Sequence, residues 1–230
     1  MSDQSEPKFP NETLEYRAAR EKLLQQEFEL RRLTESVAAS RRALPLGGKV
    51  HEDCVFEGAS GPIKLSDMFG EHDTLFIYHW MFGPERNRPC PMCSSMLDAL
   101  DGNVKAINEK VALAIVAGSP HQRLAEFAKE RGWNAPPLFS YAGNSFGRDY
   151  HAQTEHGEMP MLNVFSKMNN GIYHRYGCEM FGVPPEDGQN PRGIDPIWPL
   201  WNLLDYTPHG RGANWGSHDH DTSLLRYDGG

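Results

Sequence analysis

Residues 73–96 read "DTLFIYHWMFGPERNRPCPMCSSM". The first part, "DTLFIYHWMF", is the strongest strand candidate in the chain, an apolar run rich in aromatic and β-branched side chains. A loop, "GPERNRP", follows it and leads to Cys90 and Cys93 at a C-x-x-C spacing. After them Cys93, Met96, Leu97, Leu100, Val104 and Ile107 recur every three or four positions, which predicts a helix with one buried face. In a strand–loop–helix of this kind Cys90 is the N-cap and Pro91 the first helical residue, where a missing N–H costs nothing. The Cys90 thiol then meets free backbone N–H groups and the positive end of the helix dipole, both of which favour thiolate. Arg86 and Arg88 add to that field. Cys93, one turn on, opens the buried face, so the spacing separates an attacking thiol from a resolving one.

Working outward, "VALAIVA" (111–117) reads as a strand covered on both faces. Ser119, Pro120 and Gln122 supply an N-cap, a first-turn proline and a capping-box partner for a helix ending near Gly132. "PPLFSY" (136–141) is a strand, "AGNSFGRDYHAQTEHGE" (142–158) a long connection, and "MPMLNVFSKMNNGIYHRYG" (159–177) two strands around an Asn-Gly turn. Upstream, "CVFEG" and "IKL" are short strands joined at Gly58 to Pro62. Alternating strands and helices followed by a hairpin predict an α/β fold with mixed strand directions.

Residues 12–42 contain no Gly or Pro and read as one long helix, with Asn11, Glu12 and Thr13 at its start and "LPLGG" at its end. Tyr16, Leu23, Leu30 and Val37 recur every seven residues, with Leu33 beside them, while Leu14, Ala18, Leu24 and Phe28 fall on another side. Two apolar faces call for two partners. One docks on the parent domain and the other on a second copy, which predicts a homodimer through this helix; an arm wrapped over its own domain satisfies the same periodicity. Near the other end, "PIWPLWNLLDY" (196–206) places Trp198, Trp201, Leu203 and Leu204 as core or as a cover over the sheet, and a Gly- and His-rich tail follows.

The chain has 230 residues, a size that buries a real core in one elaborated domain. Net charge is -8, and the excess acid lies in the body: residues 1–45 carry eight basic and eight acidic side chains, leaving 15 against 23 beyond. That balance excludes a general nucleic-acid footprint. With no apolar run near the roughly 18 residues that span a bilayer, and no apolar leader in "MSDQSEPKFPNETLEYR", the expectation is a cytoplasmic protein without a membrane partner. Four cysteines are too few for a disulfide framework, so a disulfide here is expected to be transient and catalytic.

Rival chemistry has less to stand on. A tetrahedral zinc site needs two ligands beyond Cys90 and Cys93, and Cys54 and Cys178 each stand alone. His209, His218 and His220, with Asp219 and Asp221, lie in a polar, glycine-rich tail that suits adventitious metal. No metal and no cofactor are expected. Two inert thiols on a binding module remain an alternative.

The run from a strand ending before Cys90-Pro91-Met92-Cys93 to "GEMPMLNVFSKMNNG" resembles the thioredoxin-like superfamily over about residues 50–177. The resemblance implies a mixed sheet flanked by helices in residues 46–210, between a helical arm (1–45) and a flexible tail (211–230). It also implies a thiol–disulfide oxidoreductase acting on a protein or small-molecule thiol or disulfide. In that superfamily a cis-proline opens the strand facing the cysteines. Pro160 fits this place, and with Met159 and Trp80 it forms the implied substrate groove. No acidic strand residue matches the one that assists the resolving thiol in thioredoxin; Tyr78, His79 and Trp80 occupy the approach. His79 is the candidate proton carrier for Cys93 and Arg88 a supporting charge, although a packed or solvent-facing histidine is the more ordinary reading of that position.

Within the superfamily the chain is similar to a bacterial family of predicted dithiol-disulfide oxidoreductases classed as a domain of unknown function. The similarity lies in the helix ending "RRALP", in "YHWMFGP", in "CPMC" and in "NLLDYTPHGRG". Two neighbouring branches supply alternatives. A peroxiredoxin-type peroxidase would use Cys90 against a peroxide with Arg148 as its guanidinium, but Asn87 stands where that pattern has a hydroxyl residue. A copper protein would join both cysteines to a distant histidine.

Overall fold

The computed structural model describes residues 9–134, 136–189 and 192–211. The chain divides after Pro45 into two compact units. The first holds helix α1, Leu14–Ala43, 30 residues long. Thr13 caps it by accepting a hydrogen bond from the Tyr16 N–H at 3.1 Å. Glu15 in the first turn and Arg41 and Arg42 in the last each match the dipole at their end. None of the helix's residues is buried, and Leu14, Leu30 and Leu33 stand exposed.

The second unit begins with the hairpin β1 (Val55–Gly58) and β2 (Gly61–Lys64), then β3 (Thr74–His79), α2 (Pro91–Asp101), α3 (Val104–Asn108), β4 (Ala112–Ala117) and α4 (His121–Arg131). It continues through β5 (Leu138–Ser140), α5 (Phe146–Asp149), the small hairpin β6 (Gln153–Thr154) and β7 (Gly157–Glu158), β8 (Met161–Met168) and β9 (Gly171–Gly177) to α6 (Pro199–Leu204). Seven strands form one sheet in the order β2-β1-β5-β4-β3-β8-β9. β3 runs parallel to β4 and β4 to β5, whereas β8 is antiparallel to both β3 and β9. This is the mixed sheet expected from the sequence: a strand delivers the cysteine motif, a helix returns the chain to a parallel neighbour, and an antiparallel hairpin closes the other side. β4 is buried at every position, as its uninterrupted apolar run demands.

Alternation along β3 sorts its side chains between two cores. Leu75 and Ile77 join Phe69, Phe146 and Phe165 on one face; Tyr78 and Trp80 join Cys93, Met96 and Leu97 on the other. Trp198 and Trp201 complete the second core, in edge contact at 5.1 Å. The segment carrying them is clamped by Arg211, which is almost fully buried and donates to both Asp195 and Asp205.

Three local expectations need correction. Helix α4 is capped one residue late, at Pro120, and the Ser119 hydroxyl instead accepts from Arg123 Nη1 at 3.0 Å. The β8–β9 turn is Asn169-Asn170, since Met168 pairs with Gly171; that glycine, at φ +139°, is the first residue of β9, where a Cβ would lie 2.4 Å from Lys49 Cε. No peptide bond among the described residues is cis, so Met159-Pro160 is trans. The chain passes directly from β7 into β8 with the Met159 N–H bonded to Ala152 O at 3.0 Å, and nothing there offsets the roughly 0.5–1 kcal/mol preference for trans. The tail beyond Arg211, with His218 and His220, lies outside the described residues.

A candidate dithiol site at a helix start

β3 ends at His79, but the ladder continues for one more bond, from the Trp80 N–H to Val116 O at 2.8 Å. The chain then turns away and returns, closed by the Cys90 N–H donating to Met81 O at 3.0 Å. The loop between is held from several sides. Arg123 Nη2 donates to Arg86 O at 2.6 Å while its guanidinium lies over the Phe82 ring. Arg86 Nε donates to Glu158 Oε2 at 2.7 Å, and Arg88 forms two bonds with Glu130 at 2.6 and 2.9 Å. A Cβ at Gly83 would run into the Glu158 carboxylate and displace it from Arg86.

So braced, the loop delivers Cys90 to the N-cap of α2 with Pro91 in the first turn. Cys90 is half-buried, Cys93 is buried, and both are free thiols. Their surroundings push them apart. Cys90 is brought down to about 6, first by the hydrogen bond from Cys93, then by the Cys93 and Met92 backbone N–H groups and the Arg86 charge; burial opposes these. Cys93 is driven well above the ordinary thiol range by that same bond and by burial, with Tyr78 opposing the rise. The two shifts favour the anion at Cys90 and the proton at Cys93.

The residues expected to support this pair are distributed differently. His79 points into the other core, stacked on Phe146 at 5.4 Å and bonded through Nε2 to Asn163 Nδ2 at 3.2 Å. Burial lowers its pKa to about 3, which keeps it neutral, and the sheet separates it from Cys93. Tyr78, its neighbour on the strand, is the residue that faces the thiols. Arg88 is held by Glu130 and the Phe127 ring, and the charge that acts on Cys90 is that of Arg86, which itself pairs with Glu158. Trp80 is buried among Phe82, Phe127 and Trp133 and is core rather than groove.

Met161 pairs with His79, which sets half-buried Met159 and Pro160 just beyond the last rung of the β3–β8 ladder, at the sheet end where the cysteine loop leaves. Arg148 is exposed on α5, whose Phe146 belongs to the opposite core, so it does not serve Cys90. Among the described residues no group of three or more His, Cys, Asp or Glu side chains is arranged to hold a metal ion. None of their helices is long and apolar enough to cross a membrane.

The family model described as "Bacterial protein of unknown function (DUF899)" matches residues 6–225. No curated protein matches the chain. Among solved structures it is similar to the exposed lipoprotein thioredoxin Etrx1 of Streptococcus pneumoniae strain TIGR4 (13% identity, 65% of this chain and 99% of that one, TM-score 0.42). It is similar also to the mitochondrial 2-cys peroxiredoxin of Plasmodium falciparum (14%, 67% and 94%, TM-score 0.43). A third likeness is to a putative thiol:disulfide interchange protein DsbE of Chlorobium tepidum (18%, 59% and 85%, TM-score 0.39). At these scores the likeness adds nothing to the topology already described.

Proposed function

The chain belongs to that bacterial family of unknown function, and we propose that it is a cytoplasmic thiol–disulfide oxidoreductase cycling between a Cys90/Cys93 dithiol and its disulfide. The observation that carries the reading is the asymmetry of the pair: a half-buried thiol at the N-cap position of α2, its pKa lowered, one turn from a buried thiol whose pKa is raised. The Cys90 thiolate attacks a disulfide R–S–S–R′, forming Cys90–S–S–R and expelling R′–S⁻. Cys93 then attacks Cys90 Sγ, its proton passes to the departing thiolate, and the product is R–SH with a Cys90–Cys93 disulfide. Two electrons have moved to the substrate, and a second dithiol returns them.

Mild oxidation of the reduced protein should therefore remove two hydrogens from the peptide that carries both cysteines, with Cys54 and Cys178 unchanged. Peptide mass spectrometry reads this directly. Pairing of Cys90 with Cys54 or Cys178, or no pairing, would defeat the reading in favour of a non-catalytic binding module.

The reading includes a homodimer through α1, supported by the exposed Tyr16, Leu23, Leu30 and Val37 on a helix with no buried residue. A Leu23→Glu/Leu30→Glu pair on that stripe is expected to halve the mass measured by light scattering while leaving the thiol chemistry intact. A monomeric wild-type protein would return the helix to the role of an arm.

A further inference from the structure

Tyr78 has no role in the scheme so far, and its position asks for one. Its side chain is completely buried, and among the described residues its hydroxyl makes no well-formed hydrogen bond, the group it bears on being the Cys93 thiol. A buried hydroxyl left unpaired is destabilising, so an orphan of this kind calls for an explanation. The core around it is built from hydrocarbon and aromatic side chains. Apart from the Tyr78 oxygen itself, the side-chain atoms among its buried residues able to accept a hydrogen bond are the Cys93 sulfur and the weakly accepting Met96 thioether. The hydroxyl also interacts with Cys93 more directly than with Cys90.

We propose that Tyr78 is a catalytic residue for the resolving step, its phenolic O–H donating a hydrogen bond to the Cys93 sulfur as that sulfur becomes anionic. The inference rests on the oxidoreductase reading and deepens it. In the resting dithiol Cys93 is a neutral thiol and a poor acceptor, which accounts for the orphaned hydroxyl. Once Cys90 is held in the mixed disulfide, Cys93 must lose its proton to attack Cys90 Sγ, and the fixed hydroxyl meets the charge where it develops. Burial holds the phenol itself in its protonated form. Tyr78 is therefore a donor and not the base; the Cys93 proton leaves with the departing thiolate. Cys93 supplies the electron pair for the new S–S bond, and the Cys90–substrate bond breaks.

The test uses the intact protein and an aromatic disulfide reagent whose released thiolate is coloured. Attack by Cys90 releases the first equivalent, at a rate that follows reagent concentration. Resolution by Cys93 releases the second, at a rate that does not. In Tyr78→Phe the first release is expected to keep its wild-type rate, while the second slows about tenfold or more and its pH profile moves to higher pH, as loss of a hydrogen bond to a charged sulfur requires. Thermal stability should not fall, because the lost hydroxyl made no well-formed hydrogen bond. A second release with the wild-type rate and pH profile overturns the proposal. So does equal slowing of both phases, or a lowered melting temperature, which would reveal a resting-state partner. Failure of the wild-type protein to give a first release at Cys90 would instead sink the oxidoreductase reading, and the inference with it.

Discussion

Replacing Cys90 with serine is expected to lower disulfide exchange by roughly a thousandfold or more, because the remaining Cys93 thiol is buried and keeps its proton at neutral pH. The converse variant, Cys93→Ser, should form a stable mixed disulfide through Cys90. The size of the asymmetry follows from the two pKa directions. Lowered to about 6, Cys90 is half ionised near that pH, where an ordinary thiol at about 8.5 is ionised to roughly 0.3%. The more acidic thiolate is also a weaker nucleophile, by roughly tenfold over this range, so the net gain near pH 6 is about tenfold over a free cysteine.

Alkylation of Cys90 should accordingly rise through a midpoint close to 6, with Cys93 lagging across the neutral range. The cause is separable from the rate. The largest contribution to the low value is the hydrogen bond from Cys93. A serine there can still donate, whereas Cys93→Ala cannot, so the alanine variant should show the midpoint displaced upward relative to the serine variant. Rates followed against pH in both variants decide the matter: faster capture of Cys93 than of Cys90 reverses the roles, and equal capture at ordinary thiol rates leaves only a binding module.

The geometry that makes Cys90 acidic is local, and local features were legible. A proline after a cysteine at a helix start, a strand before it and the apolar spacing after it are all contained in residues 73–107, and they place Cys90 and Cys93 correctly. The supporting residues depend on what lies opposite in space. Both faces of β3 are apolar, so its sequence does not say whether Tyr78 or His79 turns toward the helix; alternation puts Phe76, Tyr78 and Trp80 on one face, and only the packing shows that this face meets Cys93. Arg86 and Arg88 look equivalent in the motif, but Glu130, on a separate helix, claims Arg88. Glu158 pairs with Arg86 in the space that Gly83 leaves open. Neither partner could be inferred from spacing.

The late motif "NLLDYTPHGRG" is another feature whose meaning lies in contacts between distant residues, and it leads to the strongest stability effect expected in the chain. Arg211 from this motif is buried to 5% exposure and donates two bonds to Asp205, at 2.7 and 2.8 Å, and two to Asp195, one of them at 3.1 Å. Arg192 adds a bond to Asp205 at 2.6 Å. The two aspartates sit on either side of Trp198 and Trp201, so the arginine pins the segment that covers the core containing Cys93. Removing one partner of a buried pair costs about 3–5 kcal/mol when the other charge is left alone; here Arg192 still bonds both aspartates, which places the loss at the low end of that range.

Arg211→Ala is therefore expected to lose unfolding free energy of that order, read as a lower denaturant midpoint. The same variant should also expose Cys93 to alkylation, as the tryptophan cover loosens. Acid should act in the same direction. Asp205 is held down to about 2, chiefly by Arg211, against an ordinary carboxylate value near 3.9. A carboxyl depressed on folding stabilises fully above its unfolded value, and that contribution fades as pH falls from about 4 toward 2. The wild-type protein should thus lose stability across that window, and Arg211→Ala, having already lost the interaction, should show a flatter dependence. Denaturant midpoints measured in both proteins at neutral pH and at about pH 3 test this. Equal midpoints at neutral pH would mean that the clamp does not hold the tryptophan segment in place.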